Sequence, residues 1–267
     1  MYQYQLQSSC LRLSDNAMRK FGLIGHPIEH SLSPALFKAG YNGRYTYDLI
    51  ETPDFEKAYQ RFLDGYDGIN VTAPFKELAI KKADILSEEC QAIGATNLLI
   101  KTPEGIKAHN SDYLGLRLWI EKIARPESKV LVVGLGGAGK AATQAARSSG
   151  HQVILMNRTR YSEDIRPLSE FREAFREADI IIYNLPARLP ELDLLGPEDF
   201  IECKKKHILE ANYRNPSFNN EVIERLTDIH PLLEYTSGKT WLLMQALTGY
   251  EIFTGEKPDL ERMAARL

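Results

Sequence analysis

The most constraining stretch of this chain is Lys129-Val130-Leu131-Val132-Val133, followed at once by Gly134-Leu135-Gly136-Gly137-Ala138-Gly139 and an Ala-rich run to Ser149. Four consecutive apolar residues, three of them valines, suit a strand covered on both faces. The G-x-G-x-x-G spacing alone is a weak signal, because glycine-rich turns are common. Here it leaves a strand and opens a helix, which is the context a dinucleotide site requires. Glycines permit the tight turn and a close approach of backbone to a pyrophosphate. The free N–H groups and the dipole of the new helix then favour the anion.

The same alternation of strand and helix signals runs along the whole sequence. Strands are expected over 21–25, 45–50, 68–71, 96–101, 106–109, 130–133, 151–156, 179–183 and 207–210. Residues 96–101 and 106–109 read as a hairpin closed around 103–105. Helices are expected over 34–39, 53–63, 75–83, 87–92, 113–124, 140–149, 171–178 and 237–254, with a short one from Pro258. Ser33, just before Pro34, is the expected N-cap of the first helix. The stretch 186–199, rich in Pro and Leu, reads as loop. The pattern predicts an α/β protein with two parts. An N-terminal α/β substrate domain is expected over 18–111, joined by the last helices, 236–267. A Rossmann-type NADP-binding domain is expected over 112–235, with a cleft between the two. Residues 1–17 are polar and without clear periodicity; they read as a dispensable extension, with Met18 as the natural start.

The 267 residues, 43% hydrophobic and 26% charged, have an ordinary globular balance with room for two small domains. A formal net charge of −3 gives no bulk attraction to nucleic acid or anionic membrane, so any anion must be held by a local site. No apolar run approaches the roughly 20 residues of a membrane helix, and no hydrophobic signal region opens the chain. Cys10, Cys90 and Cys203 are odd in number and form no CxxC pair, which suits a reducing compartment and a cytoplasmic location. The six histidines show no H-x-x-x-H or similar spacing, which argues against a metal centre. A small-molecule substrate is therefore the expected partner, in a monomer or homodimer.

The residues after the next nucleotide-binding strand select the cofactor. NAD sites place Asp or Glu there for the ribose 2′-hydroxyl. This strand ends in Asn157-Arg158-Thr159-Arg160, with no carboxylate. Guanidinium groups and a hydroxyl suit a 2′-phosphate instead, with Arg158 the better candidate of the two arginines. Three polar clusters also fall at strand ends of the first part. Ser31 and Ser33, two residues apart at a helix start, can donate together to a carboxylate. Asn70 and Thr72 lie on one side of an extended segment, and Lys76 follows in a first helical turn, where a cation is disfavoured by the dipole. That placement points to a role as acid or base. Asp112, in Asn110-Ser111-Asp112, reads either as a helix cap or as the partner of Lys76 across a cleft.

Together these residues resemble the shikimate dehydrogenase family. The likeness rests on Gly25-His26-Pro27-Ile28-Glu29-His30-Ser31-Leu32-Ser33-Pro34, on Gly68 to Lys76 as G-x-N-V-T-x-P-x-K, and on Gly94-Ala95-Thr96-Asn97 and Asn110-Ser111-Asp112. The glycine loop, Asn157-Arg158-Thr159 and the spacing from Gly238 to Gln245 complete it. The resemblance implies a reversible, NADP-dependent reduction of 3-dehydroshikimate to shikimate, on the way to chorismate and the aromatic amino acids. Lys76 would be the acid/base on the reacting oxygen, with Asp112 beside it. Ser31, Ser33 and Tyr213 would hold the carboxylate, and Asn70, Thr72, Asn97 and Gln245 the ring hydroxyls. Gly134, Gly136, Gly137, Ala138, Asn157, Arg158, Thr159 and Gly238 would bind NADP. The chain departs from the family at Asn184-Leu185-Pro186-Ala187-Arg188-Leu189-Pro190, which lacks a glycine and a methionine. It departs again at Trp241, where a methionine is often found, and at Glu210, where the family has Asp. Two other readings share these residues: a dehydrogenase of quinate or another relative of shikimate, and a protein that binds NADP and ligand without turnover.

Overall fold

A computed structural model describes residues 18–201 and 205–267. The expectation for residues 1–17, and Cys10 and Cys203, lie outside the described residues. The first part contains β1 (Lys20–Gly25), α1 (Ser33–Gly40), β2 (Thr46–Glu51), α2 (Phe55–Gly65), β3 (Gly68–Val71) and α3 (Lys76–Ala79). It continues through β4 (Ile85–Leu86), α4 (Glu88–Ile93), β5 (Leu98–Thr102) and β6 (Gly105–His109). These strands form one sheet in the order β2-β1-β3-β5-β6-β4. The β5–β6 pair is the expected hairpin, antiparallel with Thr102 opposite Gly105.

After α5 (Ser111–Ile123) come β7 (Lys129–Val133), α6 (Gly137–Ser148), β8 (Gln152–Met156), β9 (Ile165–Arg166), α7 (Phe171–Glu177) and β10 (Ile180–Tyr183). Then follow β11 (Lys206–Glu210), α8 (Asn220–Ile229), β12 (Leu233–Ser237), α9 (Gly238–Thr254) and α10 (Leu260–Ala264). The second sheet is β12-β11-β10-β7-β8-β9, parallel at every pairing. Chain order runs outward from β7 in one direction and from β10 in the other, the doubly wound arrangement.

Alternation explains why β7 reads as an unbroken apolar run. Val130 and Val132 enter the core on the α5–α6 face, and Leu131 and Val133 the core on the α7–α8 face. In the first sheet Ile24, Ile69, Val71 and Leu99 pack with α2 on one face. Phe21 and Leu98 pack on the other face with Phe37, Tyr250, Phe253 and Met263. Helix α9 serves two cores: Trp241 lies in the α5–α6 core, whereas Ala246, Tyr250 and Phe253 close the first sheet. Among the described residues no helix is long and apolar enough to cross a membrane. Cys90 is buried, and desolvation pushes its thiol up to about 11.

Some expectations change. The helix expected over 53–63 starts at Phe55, because Asp54 caps it, and that over 75–83 is α3 followed by a 3-10 turn, Ile80–Lys82. The stretch 186–199, expected as loop, holds 3-10 turns at Pro190–Leu194 and Pro197–Asp199, each opened by a proline. Helix α1 begins at Ser33 itself, and its N-cap is Leu32, so the Ser33 side chain does not cap it. Leu32 already has helical φ and ψ, and its carbonyl accepts from Leu36 N–H at 3.0 Å. The helix thus starts one residue earlier than a Ser33 cap would place it.

Two histidines at the far end of the second sheet give a pH signature. Burial lowers the pKa of His207, although Glu234, 3.1 Å from its Nδ1, pulls the other way. Burial also lowers His230, helped by the charge of Lys206. The unfolded chain therefore binds more protons at these sites, so stability is full above the ordinary histidine value of about 6.5 and is lost as pH falls below it. Thermal unfolding should show a lower Tm at about pH 5.5 than at about pH 7.5, with a shallower slope in a His207→Gln/His230→Gln variant. An unchanged slope in that variant would assign the effect to other groups.

Candidate active site

In open α/β sheets ligands lie beyond the carboxyl ends of strands, where successive connections diverge. The first sheet diverges between β1 and β3, and the second between β7 and β10. These two edges face each other. A cavity of about 260 Å³ at the first edge is lined by residues from the loops after β1 and β3, from the start of α5 and from α9. All seven expected substrate residues, Ser31, Ser33, Asn70, Thr72, Asn97, Tyr213 and Gln245, line it together with Lys76 and Asp112.

Lys76 Nζ donates to Asp112 Oδ2 at 2.5 Å. The Lys76 side chain is 19% exposed and that of Asp112 9%. The helix cap at this point is Asn110, whose Oδ1 accepts from Tyr113 N–H at 3.1 Å. Asp112 is therefore free for the ammonium, with its charge in a first helical turn that favours it. The Trp241 indole N–H donates to the Asp112 carbonyl at 3.1 Å, which ties α9 to the base of this carboxylate. Lys76 Cδ sits 3.5 Å from where a Cβ on Gly137 would be, so the ammonium stem rests against the glycine loop of the other sheet. A held ammonium beside a buried carboxylate, next to that loop, can pass a proton to or from an oxygen in the cavity.

The polar residues around it are held in advance of any ligand. Asn70 Oδ1 accepts from Tyr47 O–H at 2.7 Å and its Nδ2 donates to the Asn97 carbonyl at 3.2 Å. Asn97 Nδ2 donates to Ser111 Oγ at 3.0 Å and Gln245 Oε1 at 3.3 Å, while its Oδ1 accepts from Ser111 N–H at 2.7 Å. Asn97 thus links three elements and orients Gln245. Ser31 Oγ accepts from Ser33 N–H at 3.2 Å, and the Ser33 carbonyl accepts from Tyr250 O–H at 3.0 Å. Fixed donors and acceptors of this kind cost little reorganisation when a polyol binds.

The facing edge has the form of a nucleotide cradle. Gly134 has φ +85°, and a Cβ on Gly139 would stand 1.9 Å from the Gly134 carbonyl oxygen. A Cβ on Gly136 would meet nothing within 4 Å, so the loop is open above that residue. Helix α6 has no side-chain cap, which leaves its first N–H groups, including that of Ala138, available to a phosphate. Asn157 Oδ1 accepts from Leu135 N–H at 3.3 Å and its Nδ2 donates to the Thr159 carbonyl at 2.9 Å. That amide sets the glycine loop against the end of β8. Arg158 and Thr159 are exposed there, whereas Arg160 Nε turns back to the Ile165 carbonyl at 2.6 Å. Asn184 Oδ1, after β10, is buried without a partner. These groups fit a dinucleotide. Gly238 opens α9, where a Cβ would lie 2.3 Å from the Ala211 carbonyl oxygen.

The loop after β10 is a fixed turn: Tyr183 O–H donates to the Ala187 carbonyl at 2.8 Å and accepts from Leu189 N–H at 3.2 Å. Arg188 donates to the Ser217 carbonyl at 3.0 Å and pairs with Asp193. Glu210 is fully buried and accepts from Ser217 N–H at 2.5 Å, Phe218 N–H at 3.0 Å and Tyr235 O–H at 3.3 Å. Burial raises its pKa against those bonds. It thereby holds the segment 211–218, which carries Tyr213.

The structure also places residues that the sequence did not single out. Lys140, on α6, donates to Glu77 at 2.7 Å, joining the two edges beside Lys76. Arg214 lines the cavity and reaches the His30 carbonyl at 2.7 Å. Neither has a local signal, because each looks like an ordinary surface charge until the edges are opposed.

The chain is similar to known proteins along nearly its whole length. A family model described as the shikimate dehydrogenase substrate binding domain matches residues 23–99. One described as the NAD binding domain of D-isomer specific 2-hydroxyacid dehydrogenases matches residues 117–211. The chain is 34% identical to the shikimate dehydrogenase (NADP(+)) of Ignicoccus hospitalis, over 92% of this chain and 97% of that protein. It is 30% identical to that of Haemophilus ducreyi, over 93% and 96%. The crystal structure of the Thermus thermophilus shikimate 5-dehydrogenase, in complex with NADP(H) and shikimate, superposes with a TM-score of 0.77 at 26% identity. It covers 93% of this chain and 98% of that one.

Proposed function

The chain belongs to the shikimate dehydrogenase family, and from that premise we propose that it catalyses the reversible, NADP-dependent reduction of 3-dehydroshikimate to shikimate. The observation that carries the reading is the Lys76–Asp112 pair, held in a polyol-sized cavity and pressed against a phosphate-binding glycine loop. The substrate part comprises 18–111 and 236–267, and the NADP part 112–235.

Bound NADPH supplies the hydride. Lys76 gives its proton to the carbonyl oxygen in the reductive direction and recovers it in the oxidative one. Asp112 orients the ammonium and keeps a hydrogen-bonded carboxylate beside the reacting hydroxyl. Ser31, Ser33 and Tyr213 take the substrate carboxylate. Asn70, Thr72, Asn97 and Gln245 take the ring hydroxyls, so the ring enters in one orientation. The N–H groups of Gly136, Gly137 and Ala138 would hold the pyrophosphate at the open start of α6, while Gly134, whose own N–H donates to the Met156 carbonyl, shapes the turn that admits it. Asn157, Arg158 and Thr159 take the 2′-phosphate, and Gly238 lets the start of α9 close the cofactor side. Every one of these side chains comes from a single chain, so a monomer and a homodimer are equally competent. A cytoplasmic location suits such a biosynthetic enzyme.

The test is NADPH formation from shikimate, with quinate and NAD as controls. Turnover should be strongest with shikimate and NADP. Arg158→Ala should raise KM for NADP by about tenfold or more, the scale of one charge-assisted hydrogen bond, and leave KM for NAD unchanged. Faster turnover with NAD and quinate would overturn the substrate and cofactor assignment. NADP binding without turnover of any pair would favour a binding protein.

A further inference from the structure

Among the described residues two cations line the cavity, Lys76 and Arg214, and one carboxylate, Asp112. Lys76 is bound to Asp112. Arg214 is different: among the described residues no carboxylate pairs with it, and its one guanidinium hydrogen bond goes to a neutral acceptor, the His30 carbonyl, from NH2 at 2.7 Å. A guanidinium has five N–H donors, so most of its fork remains available on the cavity side.

The place where it points is chosen by the fold. Arg214 stands on the segment after β11, whose far end Glu210 anchors through Ser217 and Phe218. Its near end is a tight turn in which Asn212 Oδ1 accepts from Arg214 N–H at 3.3 Å and Asn215 N–H at 3.2 Å. The base of the side chain is therefore fixed. From there it crosses to the loop after β1 and ends on the residue immediately before Ser31. Ser31 and Ser33 sit at the start of α1, so hydroxyls, helix N–H groups and the uncompensated guanidinium converge on one end of the cavity.

We propose that Arg214 is a specificity-determining residue that binds the substrate carboxylate from the nucleotide-binding side of the cleft, opposite Ser31 and Ser33. This rests on the reading of the substrate as shikimate. Because the arginine and the serines belong to opposite edges, the anion is held by both at once, and its charge draws the two edges together. A ring with the same hydroxyls and no charge lacks that hold. Arg214 is also placed to discriminate by planar, two-point contact, which a lysine at the same position cannot give.

The experiment measures dissociation constants of shikimate and of its methyl ester by calorimetry, on the NADP-loaded protein, for wild type, Arg214→Met and Arg214→Lys. The ratio of ester to acid constants is the readout, since it cancels losses common to both ligands. Arg214→Met should lower the ratio about tenfold or more, and Arg214→Lys should restore part of it. Thermal unfolding of each variant confirms that the exposed side chain was removed from a folded protein. A ratio unchanged in Arg214→Met overturns the proposal and leaves Arg214 as a strap onto His30 only. A wild type that binds acid and ester alike overturns it too. A wild type that shows the preference but turns over no shikimate overturns the functional reading and leaves this one standing.

Discussion

Lys76→Ala should lower kcat for shikimate oxidation by roughly 10³-fold while NADP binding persists. Positioned proton transfer contributes on the order of 10²- to 10⁴-fold. Among the described residues Lys76 is the one cavity cation in contact with the buried carboxylate, 2.5 Å from Asp112. The loss should fall on kcat, because the ring hydroxyls and the carboxylate are assigned to other residues. One complication has a known sign. Removing the ammonium leaves Asp112 buried and unpaired, which costs about 3–5 kcal/mol where both partners are shielded. A Lys76→Met/Asp112→Asn double variant removes both charges and separates chemistry from folding. Its kcat should be as low as that of the single variant, since the two side chains act as a unit. Steady-state kinetics with calorimetric NADP binding makes the check. A Lys76→Ala enzyme within about tenfold of wild type would sink the acid/base assignment.

Gly115→Val should destabilise the protein by about 1–3 kcal/mol or more, and would do so by forcing helices α5 and α9 apart. A Cβ at Gly115 would lie 2.6 Å from Gln245 N, 2.9 Å from Met244 C and 3.0 Å from Gln245 Cα. All three are backbone atoms, so no side chain can move aside. Helix propensity acts in the opposite direction, since valine is a few tenths of a kcal/mol better than glycine inside a helix. A measured loss therefore isolates the packing. For a chain of this size each kcal/mol lowers Tm by roughly 2–4 °C. The same crossing presents Gln245 to the cavity and carries Asp112 one turn away, so KM for shikimate should rise as Tm falls. An unshifted Tm would mean that the two helices can separate freely.

The sequence shows where chemistry attaches to the fold better than how the pieces meet. Val130 to Val133 could be read as a strand because burial on both faces imposes a continuous apolar run. The glycine loop could be read because backbone crowding at Gly139 admits no side chain. Residues β4 and β9, two apiece, are too short to carry any period and exist only as edge pairings. Helix α8 and strand β12 lie in a stretch that the reading leaves without elements. Asn219, which caps α8, and Val222 and Leu226 at helical spacing are its signal. The Asp112 ambiguity is resolved locally, because Asn110 takes the cap. Arg214 and the Lys140–Glu77 contact follow only from the opposition of two sheets, which no local pattern encodes.

The double duty of α9 bears on how the chain is made. Residues 20–109 leave the ribosome well before 238–263, yet Tyr250, Phe253 and Met263 cover one face of their sheet. Until those residues emerge, Phe21 and Leu98 are covered on that side only by α1 and its neighbours, through Leu36, Phe37 and Tyr41, and the rest of the face stays open. The doubly wound sheet, by contrast, has most of its own helices in hand once α8 is out. Synthesis therefore runs opposite to completion: the part made first is finished last, and it is the part that a holding chaperone would shield. A cut where β12 passes directly into α9, between Ser237 and Gly238, would separate the first sheet from its own lid.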